Sequence, residues 1–387
     1  MRTTLIAVAG IVALTPAAIG LPNDEPRATI SSKPPSEMSK IAYTVETVAT
    51  GLQVPWDLAF LPDGRIFVSE RPGRVRVIKD GALLPEPALT LKVWKQPAEN
   101  GLMGLCLHPA FAENRWVYLA YGSRDDNDVR VVRYTERDGV LVEPRVIVSG
   151  MPAGANHAGC RVRFGPDGKL YITTGERFDR DLAQDLTSLG GKILRVNDDG
   201  SSPEDNPFNT PEHRAKGVRP EVWVYGCRNP QGLDWQPGTG RLFQVEHGPS
   251  GEAGFAGDEF NLIEKGKNYG WPEIHHAQTR DGMVSPLIEW SPTVAPSAAA
   301  FYNADLFPEL KGSFLVTTLL GTRMIRVELD GDRVVRQECL VKGLGRLRAV
   351  TVAPDGSIYF ATSNRDSRGQ PARDDDRILR LVPGTKP

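Results

Sequence analysis

The sequence predicts an all-β fold, a six-bladed β-propeller, and three observations carry that prediction. A motif of an apolar run, a proline turn and a second strand recurs six times. Glycine and proline are abundant, 39 and 31 of 387 residues, which favours many turns between short strands. Helical periodicity is weak along the whole chain.

The repeat is read most plainly at Leu58-Ala59-Phe60-Leu61-Pro62-Asp63-Gly64, followed by Arg65-Ile66-Phe67-Val68. It returns around Pro109, Pro166, Pro237, Pro308 and Pro354, at successive spacings of 47, 57, 71, 71 and 46 residues. A blade of four short strands needs about 40–50 residues. The two wide spacings therefore leave room for long loops, around Asp198 to Glu221 and Gly248 to Met283. Further strands end in Asp-Gly turns: Arg74–Ile78 before Asp80-Gly81, Ile193–Val196 before Asp199-Gly200, and Met324–Leu329 before Asp330-Gly331. A ring of six blades leaves only short, protected edges. Closing it calls for a terminal strand, and the alternating stretch Tyr43–Val48 is the candidate. A two-domain β protein is the rival architecture.

The N-terminus reads as an export signal over residues 1–20: Arg2, an apolar run from Leu5 to Leu14 too short to span a bilayer, then Ala17, Ala18 and Gly20. Residues 21–42, rich in Pro, Ser and charge, read as a flexible leader. The propeller then occupies 43–384 as one domain, and the mature chain is expected in the periplasm or secreted, with no membrane span. A net charge of −2 gives no reason to expect nucleic acid or an anionic membrane as partner. The four cysteines, Cys106, Cys160, Cys227 and Cys339, fit no zinc spacing, and no C-x-x-C-H haem motif is present. They are either paired in an oxidising compartment or buried as apolar thiols.

Four polar segments do not belong to the repeat: Glu99-Asn100-Gly101, Asn156 to Arg161, Tyr225 to Gly232, and Gly345 to Arg348. Each lies shortly before the proline of its blade, so all four project at the same rim of the ring. They bring together Arg161, Arg228, Arg346 and Arg348, whose planar forks suit carboxylates. His157 is the one group there suited to act as a base near neutral pH. An extended chain would send His157, Gly159 and Arg161 to one side and Ala158 and Cys160 to the other. A lone histidine in a β protein is more often structural, and two arginines on a strand are more often a solvated face; it is their convergence that argues for a site. A second cluster joins Glu246-His247-Gly248-Pro249, Asp258-Glu259 and Gly266 to Pro272, acids and tight-turn carbonyls of the kind a hard ion such as Ca²⁺ prefers.

At these residues the chain resembles the soluble quinoprotein sugar dehydrogenases, close to their aldose sugar dehydrogenase branch. The stretches that carry the resemblance are Tyr225 to Gly232 (YGCRNPQG), Glu246 to Pro249 (EHGP), Asp258 to Leu262 (DEFNL) and Gly266 to Pro272 (GKNYGWP), and it extends over about residues 43–384. The resemblance implies a six-bladed propeller that binds pyrroloquinoline quinone (PQQ) and Ca²⁺ and oxidises the C1 hydroxyl of an aldose, or of a related carbonyl sugar, to the lactone. It casts His157 as general base and Arg228 as the group that stabilises charge on the reduced quinone oxygen. Glu99, Asn100, Arg161, Asn229, Arg346 and Arg348 fall among the cofactor contacts, with Arg346 and Arg348 gripping the PQQ carboxylates. The carbonyls of Gly248 and Pro249 match ligands of the Ca²⁺ that touches PQQ, and Glu259 with the Tyr269 carbonyl matches a separate structural Ca²⁺. Electrons would pass to an external acceptor, a quinone or a cytochrome. The chain departs from the pattern twice. Glu99 stands where the family usually has Gln, and Leu320 falls at or near a Lys that touches PQQ. The rival functions are a Ca²⁺-dependent propeller lactonase, with His157 activating water, and a binding module that has lost its cofactor.

Overall fold

The computed structural model describes residues 28–94, 97–251 and 256–384. Its strands form six sheets of four or five strands each, antiparallel apart from one N-terminal strand, arranged as the blades of a ring. The innermost strand of each blade is the first half of a repeat: Pro55–Phe60, Leu102–Leu107, Val162–Phe164, Pro230–Trp235, Pro296–Phe301 and Leu347–Val352. The proline turn returns the chain into the second strand, as in the register Leu58↔Val68 and Phe60↔Ile66 of blade one. Second strands such as Ile66–Glu70 and Leu170–Thr174 are buried along their whole length because a neighbouring blade covers each face. The core therefore lies between blades. Met103, Tyr118 and Val131 of blade two meet Val162, Ile172 and Leu194 of blade three in one cluster, and Leu315, Met324, Val350 and Phe360 join blades five and six in another.

The ring closes as the sequence predicts. Tyr43–Ala49 pairs antiparallel with Ile378–Pro383 as the outer strand of blade six, from Tyr43↔Pro383 to Ala49↔Ile378. The expectation of a flexible leader needs correction over its described part. Ile30–Ser32 adds in parallel to Ile288–Trp290 of blade four, and Met38 bridges Cys339 of blade five. The Pro35 carbonyl accepts from Arg323 Nη1 at 2.7 Å, and Ser39 Oγ donates to Glu338 Oε1 at 2.6 Å. Outer strands present unpaired N–H and C=O groups, and even a Pro- and Ser-rich segment satisfies them when it lies alongside. The export signal falls outside the described residues. All four cysteines are free and buried, which selects the apolar-thiol alternative. No helix among the described residues is long and apolar enough to cross a membrane.

One buried lysine anchors a long loop of blade three. Lys192, on the third strand of blade three, donates from Nζ to the carbonyls of Leu182, Ala183 and Gly190 at 2.6, 3.1 and 2.6 Å. It thereby fixes the loop that follows the second strand of that blade. Burial pulls its pKa down to about 7. Lys192→Met leaves three buried carbonyls unanswered and is expected to cost about 3 kcal/mol of stability, read by urea unfolding. The pH dependence has a definite sign. The unfolded chain holds this proton up to about pH 10.4 whereas the folded chain releases it near 7. Stability from this residue therefore rises between about pH 7 and pH 10. Lys192→Met is expected to abolish that rise; an unchanged pH profile would exclude Lys192 as its source.

Candidate active site

At one end of the ring is a cavity of about 530 Å³. Two sets of loops build it. The segments entering the innermost strands bring Glu99, Asn156, His157, Arg228, Arg346 and Arg348. The segments leaving the second strands bring Arg71, Phe178, His247, Leu319, Leu320, Asp366 and Arg368. Both sets reach the same rim because neighbouring strands of a blade run antiparallel, so one begins where the next ends. The four segments singled out in the sequence do converge; of the second set only His247 and Leu320 were named, and Arg71, Phe178, Asp366 and Arg368 were missed. Their common feature is positional: Arg71, Glu176 and Asp366 each follow a second strand by one to four residues.

His157 is held on every side. Its Nδ1 lies 2.7 Å from Glu176 Oε2, an oxygen that also accepts the backbone N–H of Phe178 at 3.0 Å. A carboxylate only accepts, so Nδ1 carries the hydrogen of this bond and Nε2 is the ring nitrogen left clear of it. The Phe178 ring packs on the imidazole at a centroid distance of 3.8 Å. The His157 backbone N–H donates to Glu99 Oε2 at 3.1 Å, and its φ of 51° lies in the left-handed region. Glu176 and Phe178 are among the site residues that sequence reasoning passed over. They stand opposite His157 only because the hairpin beginning at Val162 folds the end of the loop back on its start.

The Glu99 carboxyl does not stand as an unanswered anion. Burial alone would raise its pKa, yet it is held at about 2 by His247, Arg368 and the His157 N–H. His247 is itself pulled down to about 3 by burial and is uncharged at neutral pH, so Arg368 is the cation that matters, 2.8 Å away. Arg368 also donates to Asn156 Oδ1 at 3.1 Å, which ties blade six across the mouth to blade three.

Five guanidinium groups line the cavity, those of Arg71, Arg228, Arg346, Arg348 and Arg368. Arg346 Nε pairs with Asp366 Oδ2 at 2.7 Å. Arg348 donates to Gln231 Oε1 at 3.1 Å and lies over Trp56; burial lowers its pKa to about 9, so it stays charged at neutral pH. Arg228 donates to the His247 carbonyl at 3.1 Å and sits against Trp271. Among the described residues, Arg71 Nε, His247 Nε2, Arg348 Nε and, just behind, Asn229 Nδ2 are buried nitrogens with no hydrogen-bond partner. Such groups are costly to leave unmade and suit a ligand rich in acceptor oxygens.

Other expected contacts lie elsewhere. Arg161 does not line the cavity. It is buried beneath it, 2.9 Å from Asp57 Oδ2, donating to the carbonyls of Gln231 and Ser297 at 3.0 and 2.7 Å and stacked on Trp56. The face-sharing argument fails because 157–161 is not extended; the strand begins only at Val162. Burial would raise the pKa of Asp57, but Arg161 and Arg163 hold it below the ordinary carboxylate range. Asn100 also turns away from the cavity, bonding the Gly154 carbonyl at 3.1 Å and the Gly101 N–H at 2.8 Å. Asn229 supports the floor, its Oδ1 accepting from Gly159 N at 3.2 Å and Gln231 Nε2 at 3.0 Å.

The residues expected to bind metal lie beside the cavity in blade four. Gly248 N donates to Asp258 Oδ1 at 3.0 Å, and the Pro249 carbonyl accepts from Gly257 N at 3.0 Å. Glu259 faces Glu246 across the sheet. Burial, reinforced by their proximity, raises the pKa of Glu246, and burial raises that of Glu259. The Tyr269 hydroxyl donates to the Leu262 carbonyl at 2.7 Å. Among the described residues, no group of three or more His, Cys, Asp or Glu is placed to hold a metal ion.

Fold and site together define a propeller whose axial cavity pairs an oriented imidazole with five guanidinium groups, a site built for an anionic ligand beside a base. The Glucose / Sorbosone dehydrogenase family model matches residues 52–373, and the chain belongs to that family of sugar dehydrogenases. It is 35% identical over 341 residues to an aldose sugar dehydrogenase of Escherichia coli, covering 82% of this chain and 89% of that one. Among solved structures it is similar to the PQQ-bound aldose sugar dehydrogenase of Streptomyces coelicolor, at 36% identity and a TM-score of 0.77, over 88% of this chain and 98% of the other. A Thermus thermophilus protein described as a glucose dehydrogenase superposes with a TM-score of 0.82 at 45% identity, covering 88% of this chain and all of the other.

Proposed function

We propose that this protein is an exported, PQQ- and Ca²⁺-dependent dehydrogenase that oxidises the C1 hydroxyl of aldoses to the lactone. The observation that carries the reading is the charge balance of the cavity. Five guanidinium groups stand against the carboxylates of Glu99 and Asp366, with Asp258, whose carboxyl pKa burial raises to about 7, as the third acid in the lining; the surplus of two to three positive charges suits a tricarboxylate. The unpartnered nitrogens of Arg71 and Arg348 fit the same group. Leu320 does stand in the wall without a charge, but Arg71 and Arg368 supply cations that the expected contacts did not include.

When bound, PQQ supplies the two-electron acceptor for the hydride that leaves C1. The chain does the rest. His157 Nε2 takes the proton of the C1 hydroxyl while Glu176 holds the ring and answers the positive charge that develops on it. Arg228 offers a fixed positive charge to the oxygen that becomes negative. A lactonase handling small neutral lactones has no use for so many arginines. The case for a module without cofactor rested on Glu99 and Leu320, and Arg368 neutralises Glu99.

For Ca²⁺, the best-fitting donors are Glu259 and the Tyr269 carbonyl, with Glu246 beside them: two buried carboxylates that face each other are relieved by a shared cation. The Gly248 and Pro249 carbonyls would serve a second ion nearer the cavity. Electrons would leave to an external quinone or cytochrome, and the protein would act in the periplasm or outside the cell.

The test is reconstitution. Purified protein supplied with PQQ and Ca²⁺ is expected to retain the cofactor's absorbance through gel filtration and to reduce a redox dye when given aldoses. Failure of both would end the proposal. Chelation of Ca²⁺ is expected to lower the melting temperature and to abolish dye reduction until Ca²⁺ is restored; full activity in excess chelator would remove the metal from the scheme.

A further inference from the structure

The loop after the second strand of blade three does something that folding alone does not ask for. Arg177 and Phe178 are consecutive residues in the left-handed region, at φ 52° and 69°. That conformation is costly for a bulky side chain and persists only where the surroundings enforce it. Here they do: Phe178 N bonds Glu176 Oε2, Arg177 N bonds the His157 carbonyl at 3.2 Å, and Asp179 N bonds the Glu176 carbonyl at 2.8 Å. Yet the phenyl ring so positioned is not buried. It is 59% exposed. It lines the cavity, with the His157 imidazole packed against it. Leu320, 60% exposed, is the other large apolar side chain exposed on the cavity wall among the described residues. An exposed aromatic ring held at some cost beside the base points to a ligand that covers it.

The cations divide the cavity by chemistry. Arg228, Arg346 and Arg348 are buried, so an anionic cofactor belongs with them in the depth. What meets Phe178 is whatever lies between that depth and solvent. We propose that Phe178 is the stacking platform for the sugar, taking the C–H face of a pyranose ring whose C1 hydroxyl lies at His157 Nε2. This rests on the dehydrogenase reading and extends it to specificity. Axial C–H groups of a gluco-configured pyranose form an apolar patch that suits the electron-rich face of a phenyl ring. An epimer with an axial hydroxyl on that face would lose water from the hydroxyl without gaining a hydrogen bond. The site accordingly favours pyranoses with equatorial hydroxyls, and Phe178 sets that preference.

Kinetics on the holoenzyme and binding by ligand-observed NMR test this together. Phe178→Ala is expected to raise KM for glucose about tenfold while kcat stays within about threefold, the pattern of a lost ground-state and transition-state contact. Phe178→Tyr is expected to restore KM. Wild type should prefer glucose over at least one axial-hydroxyl epimer by roughly tenfold or more in kcat/KM, and Phe178→Ala should narrow that ratio. Saturation transfer to 1,5-anhydroglucitol, which has no C1 hydroxyl to oxidise, should be seen with wild type and lost in Phe178→Ala. Unchanged KM and unchanged epimer ratio would overturn the proposal. So would a fall in kcat alone, which would mean that Phe178 acts only by packing on His157, or a weakened affinity for PQQ with sugar binding intact. If wild type oxidises no aldose at all, it is the dehydrogenase reading that fails, and the anhydroglucitol signal still decides whether the ring binds a sugar.

Discussion

His157→Gln is expected to lower kcat with any aldose by about 10³-fold while leaving PQQ bound, a loss within the range for removing a positioned general base. The expectation comes from how little freedom the imidazole has. Glu176 fixes Nδ1 as the protonated nitrogen, Glu99 holds the backbone, and Phe178 covers one face of the ring. Only Nε2 remains to receive a proton. Gln keeps a similar volume and removes the basic nitrogen. Equilibrium titration of PQQ absorbance should then give the wild-type affinity while stopped-flow reduction shows the slow step. Near-normal turnover by this variant would exclude His157 as the base. Glu176→Gln offers a graded companion: the ring stays in place, but its positive charge goes unanswered, so kcat should fall by about 10-fold to 100-fold.

The second large effect belongs to Arg348. Replacing it with Met keeps most of the packing on Trp56 and removes one fully desolvated cation from the cavity floor. A charge-assisted bond in such surroundings is worth about 1.5–3 kcal/mol, so Kd for PQQ should rise by roughly 10-fold to 150-fold. Adding Arg346→Met should weaken binding further, but the two effects will not simply add, because Asp366 is then left without Arg346. Isothermal titration of the single and double variants, with a melting curve for each, separates lost affinity from lost fold. Unaltered affinity in the double variant would refute the role of the arginine ring in holding a tricarboxylate.

The propeller was legible because its signal is redundant. Six proline turns report one geometry, and an error in reading any one of them leaves the others standing. Tyr43–Val48 could be chosen as the closing strand because its alternation matches a sheet edge. The site was legible only on the side where polar residues interrupt the repeat, which is how His157, Arg228, Arg346 and Arg348 came to light. Arg161 was misjudged because alternation was applied to a segment with left-handed residues at His157 and Gly159, where face-sharing does not hold. Arg71, Glu176 and Asp366 were missed because each follows a strand by a few residues and lies among charged neighbours of no fixed pattern. Only the return of the antiparallel partner reveals where they point. The order of residues 28–42 was hidden by composition, since backbone pairing along an outer edge asks little of side chains.

Arg161 crosses the axis beneath the cavity, tying blade three to Asp57 of blade one and to the Gln231 and Ser297 carbonyls of blades four and five. The central passage therefore holds a buried guanidinium bonded to groups on three other blades, under a chamber whose lining lies at one rim. On the proposed function, sugar and oxidant would approach the cavity from the same rim. The lactone would then vacate before the electron carrier approaches, so the cycle would alternate in two half-reactions, and either visitor in excess would obstruct the other.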